Sequence, residues 1–165
     1  MEIIKENITE EIVWSILKEI NDPEIPVLSI IDLGIVRDIC VINNKVQIFV
    51  TPTYSGCPAM DVISMNIRMC LLKNGFKKIE IIQQLSPAWT TDWMTEEGMK
   101  KLKAYGIAPP VGKSFDSAYL EDLKVECPMC KSLNTKLISQ FGSTACKALY
   151  QCNDCLEPFD YFKCH

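Results

Sequence analysis

The apolar residues between Asn7 and Ile20 recur with helical spacing, which predicts an amphipathic helix with Asn7 or Thr9 as its N-cap. A second helical pattern runs from Pro58 to Lys73, and a shorter third one runs from Thr95 to Ala104. These three segments are the predicted helices of the first two thirds of the chain.

Strand-like segments lie between the helical ones. The residues Ile35–Ile42 and Lys45–Thr51 are rich in β-branched side chains and flank Asn43-Asn44, which predicts a hairpin. A third strand is predicted from Lys77 to Leu85. The resulting order, α-β-β-α-β-α, indicates an α+β fold with a small mixed sheet and helices on one face, followed by a C-terminal β-hairpin zinc ribbon.

A change of composition divides the chain. Residues 1–106 are predicted to form the first domain and residues 123–165 the second. The segment 107–122 contains Pro109-Pro110, Gly112 and scattered polar residues, which favours a partly stiff linker.

Cysteine is abundant and clustered. The chain has nine cysteines, and six of them follow residue 126. The segment Met1–Glu6 lacks the basic stretch and cleavage site of a secretory signal, and no apolar run reaches the roughly 20 residues that span a bilayer. We therefore expect a cytoplasmic protein whose cysteines serve metal or thiol chemistry.

Four of these cysteines form two Cys-x-x-Cys pairs, Cys127 with Cys130 and Cys152 with Cys155, separated by 21 residues. Two such turns can supply the four sulfurs of a tetrahedral zinc site, although the separation lies just beyond the usual roughly 15–20 residues. The alternatives are two disulfides or buried thiols. Because four sulfurs leave no position for a substrate water, this zinc would stabilise the fold and have no catalytic role.

Cys57 is the candidate for chemistry in the first domain. Pro58 favours the first position of a helix, so Cys57 is expected at or beside the N-cap, where amides and the helix dipole lower a thiol pKa. The alternative is an ordinary buried cysteine. The carboxylates Asp22, Glu24 and Asp32 are in predicted loops and could neighbour Cys57, although capping explains such residues more often.

The remaining cysteines carry weaker signals. Cys40 falls in an alternating strand and Cys70 on the apolar face of the second helix, and both are expected in the core. Cys146, Cys164 and the single histidine, His165, could form a second metal site. Symmetric pairing about the second Cys-x-x-Cys turn, however, separates the two cysteines by about 10 Å. With one histidine, a catalytic triad of the usual kind is disfavoured.

The charge pattern bears on partners. The net charge is −4, and residues 127–165 hold four lysines and three acidic residues, so binding to nucleic acid is disfavoured and protein–protein contact is favoured. Trp89 and Trp93 form an apolar stripe, for which packing is the default and a partner surface the alternative. Four aromatic residues are candidate contacts to a partner enzyme: Trp89, Trp93, Tyr161 and Phe162.

Several motifs resemble known families. The motifs at residues 22–26, at residues 32–36, and from Thr51 to Pro58 resemble the domain shared by SufT-like and eukaryotic cytosolic iron–sulfur assembly factors, over residues 9–86. The tail, at residues 141–150 and 157–165, is similar to the PaaD (PaaJ) family of accessory subunits encoded with the phenylacetyl-CoA epoxidase system.

The resemblance implies a non-catalytic accessory factor that assists assembly of metal or iron–sulfur centres in phenylacetate degradation. Its implied partners are the di-iron oxygenase subunits and the [2Fe–2S] reductase of the epoxidase. Cys57 matches the characteristic cysteine of the assembly domain, and Asp32 matches its Asp-Leu-Gly motif, so both are implied to contact a transient iron–sulfur cluster. Pro52 comes earlier than in many bacterial relatives, and Tyr54-Ser55 intervene, which is a departure from the family's loop.

Since one cysteine gives at most one ligand, a labile cluster at Cys57 would need a second subunit, a symmetric dimer or small thiols to complete its shell. Two other functions are open alternatives. The four C-terminal cysteines could hold an iron or iron–sulfur centre for electron transfer, or the chain could be a structural scaffold.

Overall fold

The computed structural model describes residues 9–111 and 117–163, and these fall into two compact units that divide between Trp89 and Thr90. The first unit contains α1 (Glu10–Leu17), β1 (Val36–Ile42), β2 (Lys45–Val50), α2 (Ala59–Lys73) and β3 (Lys78–Gln83). The second contains a 3-10 turn (Thr91–Trp93), α3 (Glu96–Tyr105), α4 (Ser117–Asp122), β4 (Thr135–Ser139), β5 (Lys147–Cys152) and β6 (Pro158–Phe162).

The first unit is built on a mixed three-stranded sheet in the order β1-β2-β3. β1 and β2 are antiparallel and are joined at Asn43 and Asn44, whose φ angles of 49° and 61° are those of a tight hairpin turn. β2 and β3 are parallel, because α2 connects them as a crossover. The predicted α+β class, mixed sheet and element order are confirmed.

The core of the first unit lies between this sheet and its helices. β2 buries every second side chain, Val46, Ile48 and Val50, which is the period of a strand with one covered face. α1 and α2 pack against the sheet and against each other. α1 begins after Thr9 in the N-cap position, and the other predicted N-cap, Asn7, lies outside the described residues.

The second unit is built on a three-stranded antiparallel sheet in the order β4-β5-β6. Its core includes Val125, Cys127, Tyr150, Phe159 and Tyr161, with the Tyr150 and Phe159 rings stacked at 6.0 Å between centroids. This sheet is the C-terminal β-hairpin region that the sequence predicts.

The segment 107–122 differs from the linker that the sequence predicts. Ala108 is buried and forms a parallel bridge with β6, since its amide donates to the Asp160 carbonyl and its carbonyl accepts from the Phe162 amide, both at 2.9 Å. Residues 117–122 form α4. The described residues of this segment, with α3 before them, therefore belong to the second unit. That unit begins at residue 90, so the predicted bounds of 1–106 and 123–165 do not describe the division.

The pairing of β5 with β6 is shifted by two residues from symmetric pairing about the second Cys-x-x-Cys turn. Ala148, and not Cys146, lies opposite Tyr161, and the Lys163 amide donates to the Cys146 carbonyl at 3.0 Å. The turn is asymmetric because Cys152 is the last residue of β5, whereas Cys155 lies in the connection to β6.

Candidate metal centre and candidate cysteine site

The four cysteines of the two Cys-x-x-Cys pairs lie together at one end of the second sheet. Their sulfur atoms are all within 4.8 Å of one another, and the distances from Cys127 to Cys155 and from Cys130 to Cys152 are 3.7 Å and 3.5 Å. A tetrahedral ion with zinc–sulfur bonds of about 2.3 Å requires sulfurs about 3.8 Å apart. The donor set therefore fits one tetrahedral thiophilic ion.

The two turns that carry these sulfurs have the same local geometry. The residue after each pair, Lys131 and Leu156, has a left-handed φ of 66°. In the first turn the Cys127 amide donates to the Ser132 carbonyl at 2.9 Å, and in the second the Cys152 amide donates to the Glu157 carbonyl at 3.0 Å. Each turn therefore folds back on itself and directs its two sulfurs to the same point.

Polar side chains join one turn to the other. The Asp154 carboxylate, in the second turn, accepts hydrogen bonds from the Ser132 hydroxyl and from the Asn134 side-chain amide, the latter at 2.8 Å. These hydrogen bonds lower the pKa of the Asp154 carboxyl. The Asn153 backbone amide also donates to the Asn134 carbonyl at 2.8 Å. The protein itself thus holds the two cysteine pairs in register.

Two of the four thiols have pKa values that are shifted in opposite directions. The pKa of Cys152 is lowered to about 7, first by the Cys155 amide, which donates to its sulfur at 3.5 Å, and also by the Asp154 amide. For Cys155 the Glu157 amide lowers the pKa, but burial and the three neighbouring sulfurs together raise it to about 12. A thiolate therefore forms more readily at Cys152 than at Cys155, where a bound cation has to displace the proton.

Cys57 lies immediately before Pro58, the residue in the N-cap position of α2, and its side chain is half-buried. The Cys57 amide donates to the Tyr54 carbonyl at 3.3 Å, and the Met60 amide donates to the Cys57 carbonyl at 3.2 Å. The predicted placement beside the helix N-terminus is confirmed.

The sequence predicts that the pKa of Cys57 is lowered, and this prediction is wrong. Burial raises this pKa above its ordinary value, and the nearby charges of Glu24 and Asp22 raise it further. The Ala59 amide and the Tyr54 hydroxyl hydrogen-bond to the sulfur and lower the pKa, but by less. The helix terminus thus acts as expected, and the surroundings outweigh it.

Two acidic residues of the neighbouring loops, Asp22 and Asp32, accept hydrogen bonds from backbone amides. One oxygen of Asp22 accepts from the amides of Glu24 and Ile25, both at 2.8 Å. Asp32 accepts from the Ser29 amide at 3.0 Å, and its own amide donates to the Ser29 hydroxyl at 2.9 Å. The carboxylates therefore shape their loops, as capping residues do, and the charges of Asp22 and Glu24 act on Cys57.

The other candidate cysteines that the structure describes lie in different parts of the fold. Cys40 and Cys70 are half-buried on β1 and α2, and Cys146 is buried with its sulfur 3.0 Å from the Thr144 hydroxyl. The proposed partners of Cys146 in a second metal site, Cys164 and His165, lie outside the described residues.

Three of the four aromatic residues expected at a partner surface are buried. Trp89, Tyr161 and Phe162 are exposed by 3% or less, and the Trp89 indole donates to the Leu33 carbonyl at 2.8 Å. The contact role predicted for these three is wrong, because they complete the cores of their own units. Trp93 is half-buried.

The sequence interpretation missed the residues that join the two cysteine turns: Ser132, Asn134, Asn153 and Asp154. Their signal was available, since two of them stand between paired cysteines and the other two closely follow the first pair.

Comparison with known proteins connects these features to a family. A model described as the PaaD zinc beta ribbon domain matches residues 113–163. A protein of Escherichia coli (strain K12), named provisionally as one of the subunits of 1,2-phenylacetyl-CoA epoxidase, is 53% identical over 152 residues, which are 92% of this chain and 91% of that protein. The chain belongs to the PaaD family.

Further comparisons match part of this PaaD-family chain. A model described as an iron–sulfur cluster assembly protein matches residues 10–75. A protein of Porphyromonas gingivalis (strain ATCC BAA-308 / W83), named Fe-S protein maturation auxiliary factor, is 36% identical over 57% of this chain and 90% of that protein.

Two solved structures are similar to part of the chain. The DUF59 domain from Bacillus anthracis has a TM-score of 0.54 at 28% identity, over 56% of this chain and 90% of that one. A conserved hypothetical protein from Thermotoga maritima has a TM-score of 0.52 at 28% identity, over 60% of this chain and 98% of that one. Among residues 9–111 and 117–163, no helix is long and apolar enough to cross a membrane.

Proposed function

We propose that this chain is a non-catalytic accessory factor that assists assembly of the metal or iron–sulfur centres of a phenylacetyl-CoA epoxidase in the cytoplasm. The observation that carries the proposal is the presence of two unlike thiol sites in one PaaD-family chain. One is a closed set of four sulfurs, and the other is a single half-buried thiol, Cys57, beside the N-terminus of α2.

The four-sulfur site is proposed to hold a structural zinc ion. Sulfurs within 4.8 Å of one another suit a single ion, since a cluster with several irons between its thiolates needs a wider spread. The match to a zinc beta ribbon supports zinc over iron. When bound, the ion supplies charge for the thiolates and joins the two turns. Cys127, Cys130, Cys152 and Cys155 occupy all four of its positions, so it takes no part in a reaction.

Cys57 is proposed to exchange an iron–sulfur cluster as cargo. A single cysteine gives one ligand, so the client subunit or a small thiol has to complete the shell, and such a cluster is easily released. The raised pKa keeps the thiol protonated until a cation displaces the proton. Asp22 and Glu24 contribute negative charge beside the thiol, which favours an approaching cation. Asp32 is proposed to hold the adjoining loop for the cargo.

The second unit is proposed to dock the epoxidase. Met129, Leu133 and Leu156 lie in or beside the two cysteine turns, and their side chains are more than half exposed. Apolar side chains in this position are suited to contact with a partner protein. Of the aromatic contacts inferred from the sequence, Trp93 alone is retained.

The function is tested by co-expression with the epoxidase subunits. Cys57→Ser is compared with Cys70→Ser, a matched change at a half-buried cysteine of the same unit. We expect Cys57→Ser to lower the iron content and activity of the purified epoxidase while Cys70→Ser and wild type agree. Cys130→Ser, which removes a metal ligand, is expected to abolish co-purification with the epoxidase. Equal iron in the epoxidase from Cys57→Ser and Cys70→Ser cells would show that the chain acts only as a scaffold.

A further inference from the structure

Helix α2 is apolar on two opposite faces. Its inner face carries Ile63, Ile67 and Leu71, which are at most 1% exposed. A second row stands on the outer face: Val62, Met65, Met69 and Leu72, each between 40% and 55% exposed. At 100° per residue this row points away from the inner one. A surface helix is normally polar on its outer side, so this outer row indicates a partner.

The spacing of the outer row is that of a helix that pairs with another helix. The intervals from Val62 through Met65 and Met69 to Leu72 are three, four and three residues, which is the a/d pattern of a coiled coil. The row is also symmetric about Ile67. An antiparallel second copy of α2 would set Val62 against Leu72 and Met65 against Met69 at both ends of the contact.

The charges beside the row favour the same arrangement. Asp61 and Arg68 lie on one flank of the outer row, at positions equivalent in the heptad. In the antiparallel pair, Asp61 of each copy would stand on the same flank as Arg68 of the other, roughly 7 Å apart along the axis at 1.5 Å per residue. An extended arginine side chain spans that offset. Arg68 donates to the Ile79 carbonyl at 3.3 Å, and a guanidinium has further N–H groups for a carboxylate.

We propose that the outer face of α2 binds a second copy of this chain, with the two helices antiparallel and paired about Ile67. The contact is small, so the dimer is expected to dissociate at low micromolar concentration. It also places the two Cys57 residues at opposite ends of the helix pair, about 30 Å apart at 1.5 Å per residue. The dimer therefore presents two separate thiol sites, and the two copies do not share one cluster. This inference does not depend on the proposed function.

The test is a charge exchange in the full zinc-loaded chain, with mass measured by sedimentation equilibrium from 1 to roughly 300 μM. Wild type is expected to approach twice its monomer mass of 18.7 kDa at the highest concentration. Asp61→Arg alone places two arginines at each of the two contacts between position 61 of one copy and position 68 of the other, and Arg68→Asp alone places two aspartates there. Each variant is expected to dimerise at least about tenfold more weakly because like charges face each other.

An equimolar mixture of the two single variants restores opposite charges at both flank contacts, and is expected to dimerise as wild type does. Circular dichroism and zinc content, unchanged in both variants, show that they are folded. A monomeric wild type at the highest concentration overturns the proposal and leaves the outer face to the epoxidase. A mixture no tighter than the single variants overturns the antiparallel arrangement and with it the proposal.

Discussion

Trp89→Phe tests whether this tryptophan is an internal anchor, as the structure shows, or a contact to the epoxidase. The change removes the 2.8 Å hydrogen bond from the indole to the Leu33 carbonyl, within the Asp-Leu-Gly loop, and leaves a buried acceptor without its indole donor. Such a loss costs about 1–3 kcal/mol, and the smaller ring adds a packing loss. With a urea slope of about 1 kcal/mol/M for a unit of this size, the unfolding midpoint of the first unit should fall by about 1–3 M.

The assay is urea unfolding of the full zinc-loaded chain. Hydrogen–deuterium exchange in peptides from residues 28–50 monitors the transition, so that the unfolding of the first unit is measured separately. Trp93→Phe, at the half-buried tryptophan of the second unit, is the matched control and should leave that transition unchanged. Binding of the Trp89→Phe chain to the epoxidase should match wild type in the absence of urea. An unchanged midpoint together with weakened epoxidase binding would refute the assignment of Trp89 to the core.

Three further predictions follow from individual contacts. The rate of Cys57 alkylation by iodoacetamide should rise with pH through a midpoint above the ordinary thiol pKa, and Tyr54→Phe, which removes a hydrogen bond that lowers the pKa, should move that midpoint higher still. Mass spectrometry of the Cys57 peptide measures both midpoints, and a wild-type midpoint below the ordinary thiol pKa would be contrary to the structure. Asp154→Ala should release zinc faster to a chromophoric chelator than wild type does, because it disconnects the two cysteine turns, whereas Glu157→Ala, at an exposed residue just after the second turn, should not. Tyr150→Phe removes a buried 2.7 Å hydrogen bond to the Leu120 carbonyl and should destabilise the second unit by about 1 kcal/mol, seen as a lower thermal midpoint by circular dichroism, while zinc content stays constant.

Local patterns predicted the elements well where a local rule decides the conformation. Asn43-Asn44 tolerates the left-handed backbone that a two-residue hairpin needs, and the structure has both residues at positive φ. The spacing of the two Cys-x-x-Cys pairs likewise identified four sulfurs that the fold brings within 4.8 Å. In both cases a few adjacent residues contain the information.

Tertiary contacts account for the predictions that were wrong. Ala108 stands beside two prolines, and its bridge to β6 depends on a strand more than 50 residues away. The Cys57 pKa is raised chiefly by burial, which outweighs the local helix terminus, and to a smaller extent by Glu24 and Asp22, which approach from a different part of the chain. Trp89 has the spacing of a surface stripe with Trp93, but the loop at Leu33 covers it.

The shift of the β5–β6 pairing has the same origin. Symmetry about the four residues of the second Cys-x-x-Cys turn placed Cys146 opposite Tyr161. The Cys152 amide donates to the Glu157 carbonyl, so the turn extends to Leu156 and Glu157. The centre about which β5 and β6 pair therefore lies further along the chain. The left-handed Leu156, which no local residue preference predicts, allows this longer turn.

The proposed difference between the two thiol sites is tested most directly by anaerobic reconstitution of the purified chain with iron and sulfide, followed by metal and sulfide analysis. Wild type, Cys57→Ser and Cys70→Ser should each retain one zinc per chain. Wild type and Cys70→Ser should also bind iron and sulfide in the presence of a small thiol, and Cys57→Ser should not. Equal iron and sulfide in all three proteins, or iron in place of zinc at the four C-terminal cysteines, would contradict the account.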